Sequence, residues 1–321
     1  MRWPGMSAPD EAPDEFGQIA ELYRPLTRGA PEALALLDDA AVIPSRPGFD
    51  LVVTKDAMVE GVHFLPGEAP DLVARKLLRV NLSDLAAKGA EPYGYFLATA
   101  WPKAWGWAER RRFADGLAQD GEAFDLILLG GDTVSTPGPL TVSLTLLGWT
   151  PSGRMVRRGG GRPGDLLMVS GTIGDGWLGL LAAKGELDDP AGWLAGRYRA
   201  PTPRLDLRDV LRDGASAAAD VSDGLIADAG HIATASGCGL KLDLAALPLS
   251  EPARAWLSRQ PERAVALSAL ASGGDDYEVV CAAPERLDGF TVIGNLTAEP
   301  GRRIEVDGLV IEAGAGGWRH G

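Results

Sequence analysis

The chain has 321 residues, 45% of them hydrophobic and 23% charged, with a formal net charge of −13 and a pI near 4.8. That length suggests about two domains and allows a sizeable core. The acidic balance excludes bulk binding of a phosphate-rich polymer such as nucleic acid. It leaves room for a small anionic ligand whose charge is offset by metal ions or local arginines.

Two cysteines, Cys238 and Cys281, form no CxxC pair and read as reduced residues of a cytoplasmic protein. Three histidines, His63, His231 and His320, are too sparse for a typical zinc site. No apolar run reaches the roughly 18 residues that span a bilayer, so no membrane association is expected. The start, MRWPGMSAPDEAPDEF, is acidic and Pro-rich without an apolar signal core, and residues 1–14 are expected to be a frayed tail.

In chain order, EFGQIAELYRPL places Phe16, Ile19, Tyr23 and Leu26 at helical spacing. DDAAVIP and DLVVTKD read as strands joined by the turn SRPG. APDLVARKLLRVNLSDLAAKGA is a strong helix, with Asp71 as its cap and Gly89 at its end. Within it Asn81, Asp84 and Lys88 share one face. YGYFLATA is a strand, WGWAERRRFADGLAQDG a helix, and FDLILLGG a strand that stops at two glycines before Asp132. LTVSLTLLGW alternates as a half-buried antiparallel strand does.

The Gly- and Arg-rich loop PSGRMVRRGGGRPGD follows, and a domain boundary is placed near residue 150. This gives an N-terminal domain over 15–150 and a C-terminal domain over 151–321. In the second, LLMVSG is a strand, 174–184 a helix and RYRAPTPRL a loop. SAAADVSDG runs into the helix LIADAGHIATASG, and LKLDLA, YEVVCAA and FTVIGNL are further strands. Both halves are therefore mixed α/β.

Gly174-Asp-Gly176-Trp-Leu-Gly179 fits G-x-G-x-x-G between a strand and a helix. No strand ending in an acidic residue follows at the spacing a ribose contact requires, so a dinucleotide site is not expected. No G-x-x-x-x-G-K-[ST] or G-x-S-x-G occurs. The aspartates carry more. Asp38, Asp39, Asp56, Asp84, Asp132, Asp220 and Asp223 fall at strand ends, glycine turns or a helix face. Singly, each can close a turn or cap a helix, as Asp220 and Asp223 could for the helix beginning GLIAD. Asp84, inside a helix, escapes that explanation. Converging carboxylates need cations between them. Oxygen ligands without His or Cys select hard ions, Mg²⁺ first, and Mg²⁺ on an acidic protein points to a polyphosphate substrate.

LDDAAVI, TKDAMVEGVHF, KLLRVNLSDLAAKGAEP, LLGGDT, DVSDGLIADAGHIA and SGGDDYEVV together resemble thiamine-monophosphate kinase in order and spacing, over about Glu15 to Trp318. That family belongs to the aminoimidazole-ribonucleotide-synthetase-like superfamily. The resemblance implies an α/β (mixed α+β) fold of two domains. The N-terminal sheet domain would form a homodimer with nucleotide sites in clefts between the N-terminal domains, and the C-terminal α/β domain would complete the active site. It implies ATP-dependent phosphorylation of thiamine monophosphate to thiamine diphosphate. It puts several Mg²⁺ ions on Asp39, Asp56, Asp84, Asp132, Asp220 and Asp223, with Thr54 and the backbone around Lys55. Gly131, Asp132, Arg158 and Ser222 would contact ATP, and His63, Asp275 and Trp318 the substrate.

The chemistry suits these residue types. Phosphoryl transfer needs positioning and charge neutralisation more than a protein nucleophile. Glycine beside Asp132 permits close backbone approach, Arg158 can grip phosphate bidentately, and Trp318 offers a flat apolar face. The chain departs from the family pattern at Leu37 for Gly, Lys55 for Ser or Thr, Asp275 for Glu and Arg319 for Asp. Two rivals follow: a sibling ATP-using enzyme of the superfamily, and a thiamine-phosphate or nucleotide binding protein without turnover. The selenide-using sibling carries a reactive Cys or selenocysteine near its N-terminus, and no Cys here precedes Cys238.

Overall fold

The structure is a computed structural model that describes residues 13–311. Residues 1–12 of the expected tail, and Trp318 and Arg319, lie outside the described residues. The chain divides into two compact units. One is made of Met1–Pro47, Lys55–Leu78 and Pro92–Leu147, the other of Gly48–Thr54, Arg79–Glu91 and Gly148–Gly321.

The N-terminal half runs α1 (Glu15–Gln18), β1 (Phe49–Val59), α2 (Pro70–Ala87), β2 (Glu91–Pro102), α3 (Trp107–Ala123), β3 (Ile127–Thr136) and β4 (Thr141–Pro151). Asp14 caps α1 by accepting from the Gly17 N–H. The helical path continues through wider and tighter turns to Thr27, burying Leu22, Tyr23 and Leu26. The four strands form one sheet in the order β1-β4-β2-β3. β2 and β3 are parallel, joined through α3 as a βαβ unit. Trp101 of β2 meets Phe113 of α3 edge-on, with ring centroids 5.3 Å apart. α3 approaches α2 so closely that a Cβ on Gly116 would lie 2.4 Å from the Asp71 carbonyl oxygen.

Three expectations are corrected here. DDAAVIP is irregular, not a strand. Leu34, Ala35 and Leu36 turn left-handed just before it, with φ of 48°, 56° and 53°, and among the described residues it enters no ladder. Asp71 does not cap α2, because the helix already begins at Pro70, whose fixed φ suits the first position. It sits in the first turn, paired with Arg112 at 2.7 Å. The FDLILLGG strand does not stop at its glycines: β3 continues through Gly130, Gly131 and Asp132 to Thr136.

The C-terminal half runs β5 (Leu166–Ser170), α4 (Asp175–Ala183), α5 (Trp193–Arg199), α6 (Arg208–Gly214), β6 (Ala217–Asp220), α7 (Leu225–Ala235), β7 (Gly239–Asp243), α8 (Glu251–Leu257), α9 (Arg263–Ser272), β8 (Val279–Ala283), β9 (Phe290–Thr297), β10 (Arg302–Val306) and β11 (Leu309–Val310). The seven strands are ordered β11-β10-β7-β9-β5-β8-β6, with β7 and β10 parallel. The expected loop RYRAPTPRL is corrected at its start, since Arg197, Tyr198 and Arg199 close α5.

Period-two alternation explains the apolar runs LLMV, AAA and VVCAA. Leu167, Val169, Ala217, Ala219, Val280 and Ala282 face a core shared with α7 and α9. Met168, Ala218, Val279, Cys281 and Ala283 face a second core on the other side. A sheet covered on both faces reads as continuous hydrophobic sequence. A Leu→Ala change at Leu167 would cost about 2–5 kcal/mol.

Candidate functional site

In the first unit, a cavity of about 550 Å³ is walled by Phe16, Tyr23, Leu36, Leu37 and Phe96, and is edged by Asp38, Asp39, Gly131 and Asp132. Burial pushes the Tyr23 phenol up, against hydrogen bonding with Thr99, Trp101 and Thr133. Helix periodicity was the only signal at Tyr23 in the sequence. Gly131 is needed by the sheet itself, because a Cβ there would stand 2.0 Å from the Leu97 carbonyl oxygen of β2. Asp132 follows on β3, exposed.

Asp56 lies on β1, and its carbonyl accepts the Ser143 hydroxyl at 3.0 Å. Lys55 takes the opposite strand face and donates to Ser143 at 3.0 Å and to Thr145 at 3.5 Å, both on β4. His63 Nδ1 accepts from the Val59 N–H at 3.0 Å, which leaves the proton of the neutral ring on Nε2. Its carbonyl is held at 3.1 Å by the buried Lys76.

In the second unit, β6 delivers Asp220, 7% exposed, to a turn that ends in Gly224 with φ of 116°. Gly224 is the N-cap of α7, so neither Asp220 nor Asp223 caps it. The roles are reversed: Asp228, in the first turn of α7, accepts the Ser222 and Asp223 N–H groups at 3.1 and 3.2 Å. Burial first, and then the Asp223 charge, push the Asp228 carboxyl up to about 7 against the pull of Arg158. Asp223, Asp228 and His231 bring ligand atoms within 4.8 Å of one another.

Asp84 of α2 accepts the Thr54 hydroxyl. One turn on, Lys88 donates to the Ala218 carbonyl at 2.7 Å. Burial lowers the Lys88 ammonium, Asp220 and Asp84 oppose that shift, and Arg158 adds to it. Thr54, Asp84, Lys88, Arg158, Asp220, Asp223 and Asp228, with His231 beside the last two, thus form one electrostatic neighbourhood, and all its metal-competent ligands except His231 are oxygen donors. That donor set suits Mg²⁺. Sequence reasoning missed Asp228 and gave Lys88 no role. Their i+3 and i+4 spacings to His231 and Asp84 were the available signals.

Asp275 sits in a left-handed conformation with φ of 60°, its N–H on the Ser222 carbonyl at 2.9 Å. The G-x-G-x-x-G motif proves to be occupied from within. Gly174 and Gly176 at the start of α4 donate to the two carboxylate oxygens of buried Asp276, at 2.8 and 2.9 Å. Gly179 admits the Leu194 carbonyl oxygen, which a Cβ would meet at 2.1 Å. Those glycines serve the chain's own packing.

Residues 37–150 match the AIR synthase related protein N-terminal domain, and 162–307 the C-terminal domain of the same family. The thiamine-monophosphate kinase of Caulobacter vibrioides is 59% identical over 328 aligned residues, covering 98% of this chain and 93% of that protein. The crystal structure of thiamine-monophosphate kinase from Stenotrophomonas maltophilia K279a superposes with a TM-score of 0.80 at 36% identity, over 93% of this chain and 98% of that one. A structure described as AaThiL complexed with AMPPCP and TMP gives 0.76 at 31% identity, over 95% and 96%.

Proposed function

The chain belongs to the thiamine-monophosphate kinase family of AIR synthase related proteins, and on that premise we propose that it phosphorylates thiamine monophosphate to thiamine diphosphate with ATP. The carrying observation is the second unit's oxygen-donor set, Thr54, Asp84, Asp220 and Asp223, gathered around half-buried Lys88 and exposed Arg158. Such a set suits neutralised polyphosphate better than a nucleophile-based reaction.

In the proposed reaction, a phosphate oxygen of thiamine monophosphate attacks the γ-phosphorus in line. The new O–P bond forms as the bond to the β-phosphate oxygen breaks, and ADP leaves. The attacking oxygen is already anionic, so no strong base is required. Mg²⁺, when bound, neutralises phosphate charge and polarises the phosphoryl oxygens.

Asp39, Asp56 and Asp132, with the backbone at Lys55, are the ligands we assign to it in the first unit; Thr54, Asp84, Asp220 and Asp223 are those of the second. Arg158 and Ser222 would hold nucleotide in the second unit, Gly131 and Asp132 in the first. His63, Asp275 and Trp318 are assigned to the substrate. We further read the protein as a homodimer, and as cytoplasmic, the latter in keeping with the free thiols of Cys238 and Cys281.

A coupled assay for ADP, with and without thiamine monophosphate, tests this reading. ADP release strictly dependent on thiamine monophosphate and Mg²⁺ is expected. Release with another acceptor alone would point to a sibling enzyme, and binding without release to a non-catalytic protein.

A further inference from the structure

The G-x-G-x-x-G motif has no part in the proposed reaction, yet it is built with care around one buried carboxylate. Asp276 is 1% exposed and accepts both glycine N–H groups through separate oxygens. A Cβ on Gly176 would lie 2.2 Å from the Asp275 carbonyl oxygen, so this glycine is shaped for the 274–278 strap. The strap's other side is laced to the 221–222 turn. Asp275 N–H donates to Ser222, Tyr277 N–H to Val221 at 2.8 Å, and Val221 N–H to Glu278 at 2.7 Å. Asp275 and Tyr277 both sit left-handed, with φ of 60° and 51°.

We propose that Asp276 is a positioning residue, seated on the N-terminus of α4 to fix the strap and so aim Asp275 at a cationic heteroaromatic monophosphate. This rests on the reading of Asp275 as a substrate contact. A carboxylate on this strap can meet a thiazolium cation reproducibly only if its backbone is fixed, because the left-handed conformation is not one the chain keeps unaided. Glu278 locks the far end. It is fully buried, accepts from Arg197 at 3.0 Å, from Arg204 at 2.5 Å and from Ser170 at 2.7 Å. The groups facing Asp276 are Asp175 of α4 and Arg197 of α5.

Steady-state kinetics of Asp276→Asn test the proposal. Asparagine offers one oxygen where two are used, and its amide N–H faces a glycine N–H. The KM for thiamine monophosphate should rise roughly tenfold, the scale of lost supporting contacts, while the KM for ATP changes by less than about twofold. Amide hydrogen exchange across 273–278 should quicken. Ser83→Ala, which removes only a hydroxyl contact of 3.3 Å to the Tyr277 carbonyl, should show a smaller split of the same sign and guards against a variant that fails to fold. Equal rises in both KM values, or no rise while Asp275→Asn weakens thiamine monophosphate, would overturn the positioning role. An unchanged KM in Asp275→Asn would instead overturn the substrate reading beneath it.

Discussion

Asp132 in the first unit and Asp220 in the second follow the same sequence logic, an apolar strand and then a carboxylate, yet they reach different physical states. Asp132 stays exposed on a strand that continues past it and shares its cavity with exposed Asp39, while half-buried Asp56 lies on β1, at the opposite edge of the sheet. The nearby Lys55 is engaged with β4 hydroxyls. Asp220 is buried at the end of its strand, and Lys88, Arg158 and the turn's backbone N–H groups share its neighbourhood. The second set of acids therefore carries much of its own countercharge, whereas the first set depends on what binds it. Buried charge persists only when compensated, so the two sets should respond differently to loss of one member.

The largest effect is expected at Asp84. Asp84→Asn keeps the shape and the Thr54 contact but removes one charge from the second set. kcat should fall by at least about 100-fold, with the fold intact by circular dichroism. Near-normal turnover at low Mg²⁺ would remove Asp84 from the metal shell. Next comes the internal cation. Lys88→Met leaves Asp84 and Asp220 without their ammonium, and metal-free protein should lose about 1–3 kcal/mol. Added Mg²⁺ should narrow that loss in thermal unfolding. A loss indifferent to Mg²⁺ would show that Lys88 serves packing alone.

Burial in the second unit also gives a pH signature that exposed acids lack. Burial pushes the Asp276 carboxyl from its ordinary 3.8 up to about 8, outweighing the glycine N–H groups that favour its charged form. Between those values folding takes up a proton. The stabilising contribution is then full below about pH 4 and is lost as pH rises through about 8. Asp276→Asn carries no such proton. The gap in Tm between wild type and this variant should therefore shrink from about pH 6 to about pH 9. A gap that stays constant would show Asp276 ionised throughout.

The strands with a clear apolar run, and both long helices of the N-terminal half, were legible because period 2 and period 3.6 are properties of the sequence itself. DDAAVIP misled for the complementary reason: its short apolar run is real, but three left-handed residues precede it and a strand exists only where a ladder does. α8, α9 and β10 carry weak patterns whose partners are distant in sequence. Asp84 was legible as an acid that no cap explains. Asp228 and Asp276 were not, since each looks like an ordinary first-turn or turn aspartate until the neighbouring N–H groups are in place. The G-x-G-x-x-G fingerprint was rejected for lack of an acid at ribose spacing, and its real partner lies 100 residues away at Asp276.

The smallest effect is expected at Lys55, the most conspicuous departure from the family pattern. An ammonium at this point could stand in for one metal charge. The strand geometry opposes that: Thr54 and Asp56 share a face, and Lys55 points to Ser143 and Thr145 on β4. Exposed ammonium–hydroxyl contacts of this kind are worth less than about 0.5 kcal/mol. Lys55→Thr should thus shift the Mg²⁺ concentration for half-maximal rate by less than about twofold. It should leave Tm almost unchanged, in contrast to Lys88→Met. A large shift in Mg²⁺ requirement would place the Lys55 charge inside the first set of acids. The first unit would then hold an internal countercharge after all, and the contrast with the second would be one of exposure alone.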